Sequence, residues 1–311
     1  MLLRGMSHFG NLLRVPLATA TTAQLRSGEE RSCQAIEHRR ATLNFELIVQ
    51  PPSDIPDEAH WIVVRGGHIV IEAGVETLPF GPTPPVDAHL EQHFLGLLDG
   101  HAVWAVDVDD HEEPHDWHEF VHLRGLYGRV PDHQWVAAGR AEQIVQWDRT
   151  HRYCGRCGAG TRHHAKDRAR ECPECRLLAY PRLAPAVIVL VEKGDEILLA
   201  HGAQFPQRFF STLAGFVEAG ESLEGTVHRE IKEEVGIAVT DVTYFDSQPW
   251  PFPNSLMVGF TAKWAGGDLV IQEDEIVEAG WYRADDLPPC PIGGMSIAGW
   301  LIKDWLDRRN R

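Results

Sequence analysis

Apolar residues along the chain fall into two regimes, short runs bounded by glycine and proline and longer stretches where they recur every three or four positions. The short runs predict strands. Residues 45–49, 61–64 and 69–71 are the first of these, the last two joined by a Gly66-Gly67 hairpin turn, and residues 101–107 follow. Residues 184–191 read as a buried strand that turns at Lys193-Gly194-Asp195 into 196–200, with further strands near 239–245, 256–264 and up to Trp281-Tyr282. The longer stretches predict helices. One runs from about Pro131 to Thr150 with Trp135, Val136, Ala138, Ile144, Val145 and Trp147 as its packing residues. Another runs from Ser296 to Arg308 with Ile297, Trp300, Leu301 and Trp305 turned inward. Proline-rich breaks at 51–52 and 82–85 separate the early units.

A third periodic stretch follows Gly215 and a Gly220-Glu221 turn. Leu223, Val227, Ile231 and Val235 form its apolar stripe, and Glu230, Glu233 and Glu234, at i, i+3 and i+4, share one face. Three neighbouring carboxylates repel one another. The ordinary meaning of such a run is a solvated acidic face, but at about 100° per residue Glu234 projects between Leu223 and Val227, partly toward the core. A carboxylate aimed there needs a partner. A divalent cation is the simplest one, and hard oxygen ligands point to magnesium or manganese.

Composition adds outer bounds. At 311 residues, 43% apolar and 24% charged, the chain is long enough for two domains, and its formal charge of −16 argues against a nonspecific nucleic-acid coat. No apolar run approaches the roughly 20 residues that span a bilayer. Residues 1–39 read as a loosely ordered extension with two short leucine patches and no continuous apolar core of a secretory signal; a transit peptide is the alternative. The expected compartment is the cytoplasm.

Four of six cysteines form two CxxC pairs, Cys154-Cys157 and Cys172-Cys175, while Cys33 and Cys290 stand alone. Paired knuckles within one short unit suit a structural zinc ribbon, with two disulfides or a redox pair as the competing readings. Residues 149–182 carry nine basic side chains against three acidic ones, a local charge of +6. Such a patch either steers a polyanion to one face or balances nearby acids. His111, His115, His118 and His122 invite a metal reading, but Pro114 interrupts any helix that would align them, and the surrounding acids make a hydrated loop the simpler account. Residues 247–257, SQPWPFPNSLM, form a proline-rich loop whose Trp250 and Phe252 offer flat apolar faces, suited to stacking on a base or to filling a hydrophobic gap.

Gly215, Glu221, Arg229, Glu230, Glu233, Glu234 and Gly236 occupy the fixed positions of the Nudix box, so residues 215–237 resemble that family's signature. With SQPWPFPNS behind the box and a four-cysteine ribbon ahead of it, residues 60–311 look like the NADH pyrophosphatase branch, NudC-like enzymes that also remove NAD caps from RNA. The resemblance implies an α+β chain: an N-terminal mixed α+β domain over 40–150, a zinc ribbon over 151–180 and an α/β/α Nudix sandwich over 181–311.

It implies hydrolysis of the pyrophosphate of NADH or NAD+ to nicotinamide mononucleotide and AMP, or of NAD-capped RNA to 5′-monophosphate RNA, by a homodimer. Zinc would sit on Cys154, Cys157, Cys172 and Cys175. Magnesium or manganese would sit on Glu230, Glu233 and Glu234, helped by the Ala214 carbonyl and Glu275. Substrate contacts would come from Arg124, Tyr180, Phe216, the run Gln248, Pro249, Trp250, Pro251, Phe252, Pro253, Asn254 and Ser255, and Ala298. Spacing does not decide which glutamate takes a proton from water; the expectation is that Glu230 and Glu234 are ligands while Glu233 shares ligand and base roles. A Nudix hydrolase for ADP-ribose or dinucleoside polyphosphates is the alternative, and a nucleic-acid-binding module in which the box only binds is a third reading.

Overall fold

The computed structural model describes residues 45–310 except 88 and 204–206. The expected extension over 1–39 and Cys33 lie outside the described residues. Phe45–Arg311 forms one compact unit. The first sheet contains β1 (Phe45–Glu46), β2 (Ala59–Arg65), β3 (His68–Glu72), β4 (Phe80–Gly81), β5 (Glu91–Leu98), β6 (His101–Asp107) and β7 (His118–His122). Their order is β1-β5-β6-β2-β3-β7 with β4 beside β2, and α1 (Asp132–Thr150) packs on one face. Three two-residue strands, β8 (Arg162–His163), β9 (Arg170–Glu171) and β10 (Leu178–Ala179), make the ribbon.

The last sheet holds β11 (Ala184–Lys193), β12 (Glu196–Gly202), β13 (Leu213–Phe216), β14 (Ala238–Trp250), β15 (Ser255–Gly266) and β16 (Ile276–Arg283), ordered β14-β15-β11-β12-β16 with β13 beside β11. Strand periodicity divides the residues of β11 between two cores. Val187, Val189 and Val191 face α2 (Leu223–Val235), whereas Ile188 and Leu190 face α3 (Ile297–Arg309). The result is the expected helix–sheet–helix sandwich.

The two large sheets share one wiring. Each has a single parallel pair, β2 with β6 and β11 with β15. In each, the first strand of that pair forms a hairpin with the next strand, and a short strand flanks it. The N-terminal domain, expected only as mixed α+β, is therefore a second sandwich of the same type. Among the described residues it has no counterpart of one helix: none lies between β4 and β5, where α2 lies between β13 and β14. On the face the helix leaves open, Trp61 and Trp104 stack with ring centroids 6.5 Å apart, and Phe94 packs beside them.

Several local expectations change. Only residues 45–46 of the segment 45–49 pair in a sheet, and His118 and His122 belong to β7 rather than to an acidic loop. The stretch 247–257 is not a loop throughout, because β14 runs to Trp250 and β15 starts at Ser255. Pro249 fits within β14 because that strand is the sheet edge, where a missing N–H costs no ladder bond.

The basic run over 149–182 is largely neutralised. Arg149 and Arg152 pair with buried Asp107, Arg170 with buried Asp148, and Arg162 and Arg176 with Glu171. Arg168 donates to the carbonyls of Phe94 and Ile48 at 2.7 and 3.3 Å. Among the described residues, only Arg156, Lys166 and Arg182 of the nine lack such a partner. The run thus balances nearby acids and pins the ribbon to the first domain.

Asp148 is central to this seam, accepting from His163 Nε2 at 2.7 Å and Arg170 Nη1 at 2.5 Å. His93, Asp148 and His163 have the composition of a metal site. Arg170 Nη1, however, lies 3.0 Å from His163 Nε2, so an added dication would face a guanidinium across the same nitrogen. The group is better described as a hydrogen-bonded lock.

Burial raises the Asp148 carboxyl, but hydrogen bonds from His163 and Arg170 outweigh it and hold the carboxyl at about 2. Its stabilisation is present above the ordinary 3.8 and is lost as pH falls toward about 2. Asp148→Ala strands Arg170 and should cost about 3–5 kcal/mol in urea unfolding at neutral pH. A midpoint within error of wild type would remove Asp148 from this role.

Candidate active site

The helix carrying the acids is defined at both ends by local chemistry. Ser222 caps it by accepting from Gly225 N–H at 3.1 Å, and Gly236 ends it with φ at 77°, a conformation that favours glycine. Val227, Ile231 and Val235 are fully buried against the sheet. This seating brings Glu230 against β13, where a Cβ on Gly215 would occupy the space of the Glu230 carboxyl. Glycine at 215 is thus required by close approach. Ala214, the preceding residue, pairs with Ile188 in the sheet.

Arg229 organises the exposed side of the group. It donates to Glu221 at 2.6 Å, Glu230 at 2.8 Å and Glu233 at 3.0 Å, and to the Phe216 carbonyl at 2.9 Å. The Glu221 carboxyl is held down at about 2 by that guanidinium. Glu221 and Arg229 were visible as box positions, yet only the fold shows that one arginine serves three acids.

Glu234 is different. It is 5% exposed, and its Oε2 has no hydrogen-bond partner. Burial, reinforced by Glu230, Glu275 and Glu233, pushes its carboxyl up to about 8. Burial likewise raises Glu230. Glu275, from the turn before β16, is close enough to act electrostatically on both. An orphaned buried carboxyl oxygen among three further acids fits a hard divalent cation.

The remaining residues expected to contact substrate occupy three places. Tyr180 and Phe216 are exposed, and the Tyr180 hydroxyl donates to Asp167 at 3.0 Å. Gln248 is buried: its amide donates to the Met295 carbonyl at 2.6 Å and accepts from Ile297 N–H at 2.8 Å, so it satisfies the first N–H of α3, which Ser296 caps, just ahead of buried Ala298. Ser255 is buried, and Asn254 donates from its amide to the Arg182 carbonyl at 3.1 Å. Arg124, on a short turn after β7, stacks over Phe252 at 3.8 Å from the ring centroid and lies 5.4 Å from that of Trp250.

The four cysteine sulfurs converge within 4.8 Å, with Cys154 and Cys175 at 3.5 Å and Cys157 and Cys172 at 3.5 Å. Tetrahedral zinc with sulfur at about 2.3 Å requires separations close to these. Backbone N–H groups of Arg156 and Cys175 point at Cys154 and Cys172 from 3.4 Å, which favours thiolates.

Comparison with known proteins agrees with this layout. Family models match in three segments: an NADH pyrophosphatase-like rudimentary NUDIX domain over 58–147, an NADH pyrophosphatase zinc ribbon domain over 149–180 and a NUDIX domain over 181–299. The NAD-capped RNA hydrolase NudC of Deinococcus radiodurans is 44% identical over 240 residues, covering 76% of this chain and 83% of that protein. The chain belongs to the NADH pyrophosphatase branch of the Nudix hydrolases. The protein of the same name from Chromobacterium violaceum is 41% identical, covering 85% of this chain and 97% of its own length, and that of Pseudomonas putida strain GB-1 is 50% identical, covering 70% and 78%. In this chain the segment matched by the "rudimentary" model, 58–147, falls in the first domain, which has no counterpart of α2 among the described residues. The chain is an enzyme of the Nudix class with a zinc ribbon. None of its described helices is long and apolar enough to cross a membrane.

Two measurements probe the site. Cys172→Ser should release zinc, read as metal per chain after dialysis; full retention would exclude the thiolate set. In metal-free protein, Glu234 favours folding fully below its ordinary 4.5, and that contribution is lost as pH rises toward about 8. The melting temperature should therefore fall across that window relative to Glu234→Gln, and millimolar magnesium should close the gap. Parallel pH profiles for the two proteins would count against a buried, uncompensated carboxyl.

Proposed function

We propose that the protein hydrolyses the pyrophosphate of NADH and NAD+ to nicotinamide mononucleotide and AMP, and removes NAD caps from RNA to leave 5′-monophosphate ends. The observation that carries this reading is the buried, unpartnered Glu234 carboxyl within a cluster of acids, in a chain 44% identical to an NAD-capped RNA hydrolase. Glu230, Glu233, Glu234 and Glu275, with the Ala214 carbonyl, would hold magnesium or manganese. When bound, that ion would neutralise the diphosphate oxygens and lower the pKa of a bound water.

The chain's own groups supply the rest. A carboxylate takes the proton from the attacking water, and Glu233 is the better placed for that role because it is half exposed and tied only to Arg229. Arg229 donates to Glu221, Glu230 and Glu233 and so orients all three, and the face presented to the diphosphate is set before substrate arrives. Tyr180, Phe216, Arg124, the residues Gln248 to Ser255 and Ala298 would hold the two nucleoside halves. A homodimer in the cytoplasm completes the reading, resting on the family resemblance and, for the compartment, on the reduced thiolates zinc requires.

Product analysis with NADH, NAD-capped RNA and ADP-ribose at varied Mg²⁺ and Mn²⁺ tests this reading. AMP release should require the metal, and kcat/KM should be highest for the nicotinamide dinucleotides. Glu234→Gln should lower kcat by about 10²- to 10³-fold. Near-normal turnover with unchanged metal dependence would overturn the ligand assignment, and a preference for ADP-ribose would overturn the substrate.

A further inference from the structure

Glycine inside a helix weakens it relative to alanine, so an interior glycine needs a reason. Gly139 lies near the middle of α1, buried, on the face turned toward the tip of the β14–β15 hairpin. A Cβ there would come 2.9 Å from Pro251 Cγ, closer than carbon atoms ordinarily approach, with Pro251 Cβ at an ordinary 3.5 Å. Pro251 is itself buried, although it sits at a hairpin tip, where side chains are usually exposed. The missing side chain of Gly139 is the notch that receives it.

The same tip is held at two further points by the first domain. Phe252 and Met295 pack against the core formed by α1 and its sheet, and Arg124 closes over the outer face of Phe252 at 3.8 Å. The Met295 carbonyl in turn accepts from Gln248, whose amide also takes the Ile297 N–H at the start of α3, beside Ala298. A continuous series of contacts thus runs from α1 through the hairpin tip to the start of α3.

We propose that Gly139 is a positioning residue for the dinucleotide site, seating Pro251 so that the first domain fixes the hairpin 248–255 against the start of α3. The proposal rests on the reading that these residues hold the substrate. It assigns the sandwich without a box helix a part in substrate binding that does not require its own carboxylates. Hairpins carry little stability alone, and ordering one before the ligand arrives raises affinity by removing the cost of ordering it on binding.

The test compares Gly139→Ala and Gly139→Val with wild type in the full-length protein. Amide hydrogen exchange over 246–257 should accelerate in both variants, more in Gly139→Val, while exchange in α2 stays unchanged. KM for NADH should rise by about 3- to 10-fold with kcat within about twofold, the signature of lost binding rather than lost chemistry. If Gly139→Val does not fold, Gly139→Ala decides. A Gly139→Ala protein that melts higher, as its helix propensity alone would predict, and keeps wild-type exchange and KM would overturn the proposal. Absence of NADH turnover by wild type would defeat the functional reading instead, and the exchange data would still decide whether Gly139 seats the hairpin.

Discussion

The catalytic half is organised around a carboxyl group that folding has buried without a partner. Glu234 lies on the side of its helix that faces the sheet, because the apolar stripe of Val227, Ile231 and Val235 sets the rotation of α2 and carries it inward. Isolated, such a group is better protonated than charged. The neighbouring acids make ionisation harder still, and the Arg229 guanidinium is directed to Glu221, Glu230 and Glu233. This asymmetry leaves an unpaired carboxyl where a divalent cation would gain most by replacing its proton. The requirement for Gly215, whose Cα faces the Glu230 carboxyl, follows from the same close seating of α2 on β13.

The rest of the chain packs around that centre through contacts between its two sheets and the ribbon. Two sandwiches of one wiring stand in tandem, and only the second retains the helix that carries acids. Freed from that demand, the first fills the vacated face with Trp61, Phe94 and Trp104 and uses its helix to grip the hairpin of the second. The ribbon between them is fastened by buried ion pairs, with Asp107 and Asp148 absorbing charge that the local sequence presents as a basic patch.

How legible each part was depended on how local its cause is. The box, the two CxxC pairs and the three helices were readable because their spacing is set within one turn or one hairpin. Helix α1 begins one residue after the expected Pro131 for the same reason. The duplicated wiring was not readable, since it resides in which strands pair and not in repeated residues. Pro249 misled because proline excludes a strand only where both ladder sides are occupied, and edge position is a property of the sheet. The basic run left two readings open because Asp107, which takes Arg149 and Arg152, lies far before it in the chain and meets it only across the seam.

By itself, then, the sequence determined the kind of chemistry: three acids on one helix face, four thiols in two knuckles and a proline-aromatic segment, each specified by short-range spacing. Tertiary structure decided what each of these meets. It left Glu234 without a partner while giving Glu230 and Glu233 an arginine, and it spent the ribbon's cations on internal acids. It also placed Pro251 in the notch at Gly139. Those outcomes depend on contacts between residues far apart in the chain, and burial, which sets their energies, exists only once the sheets have packed.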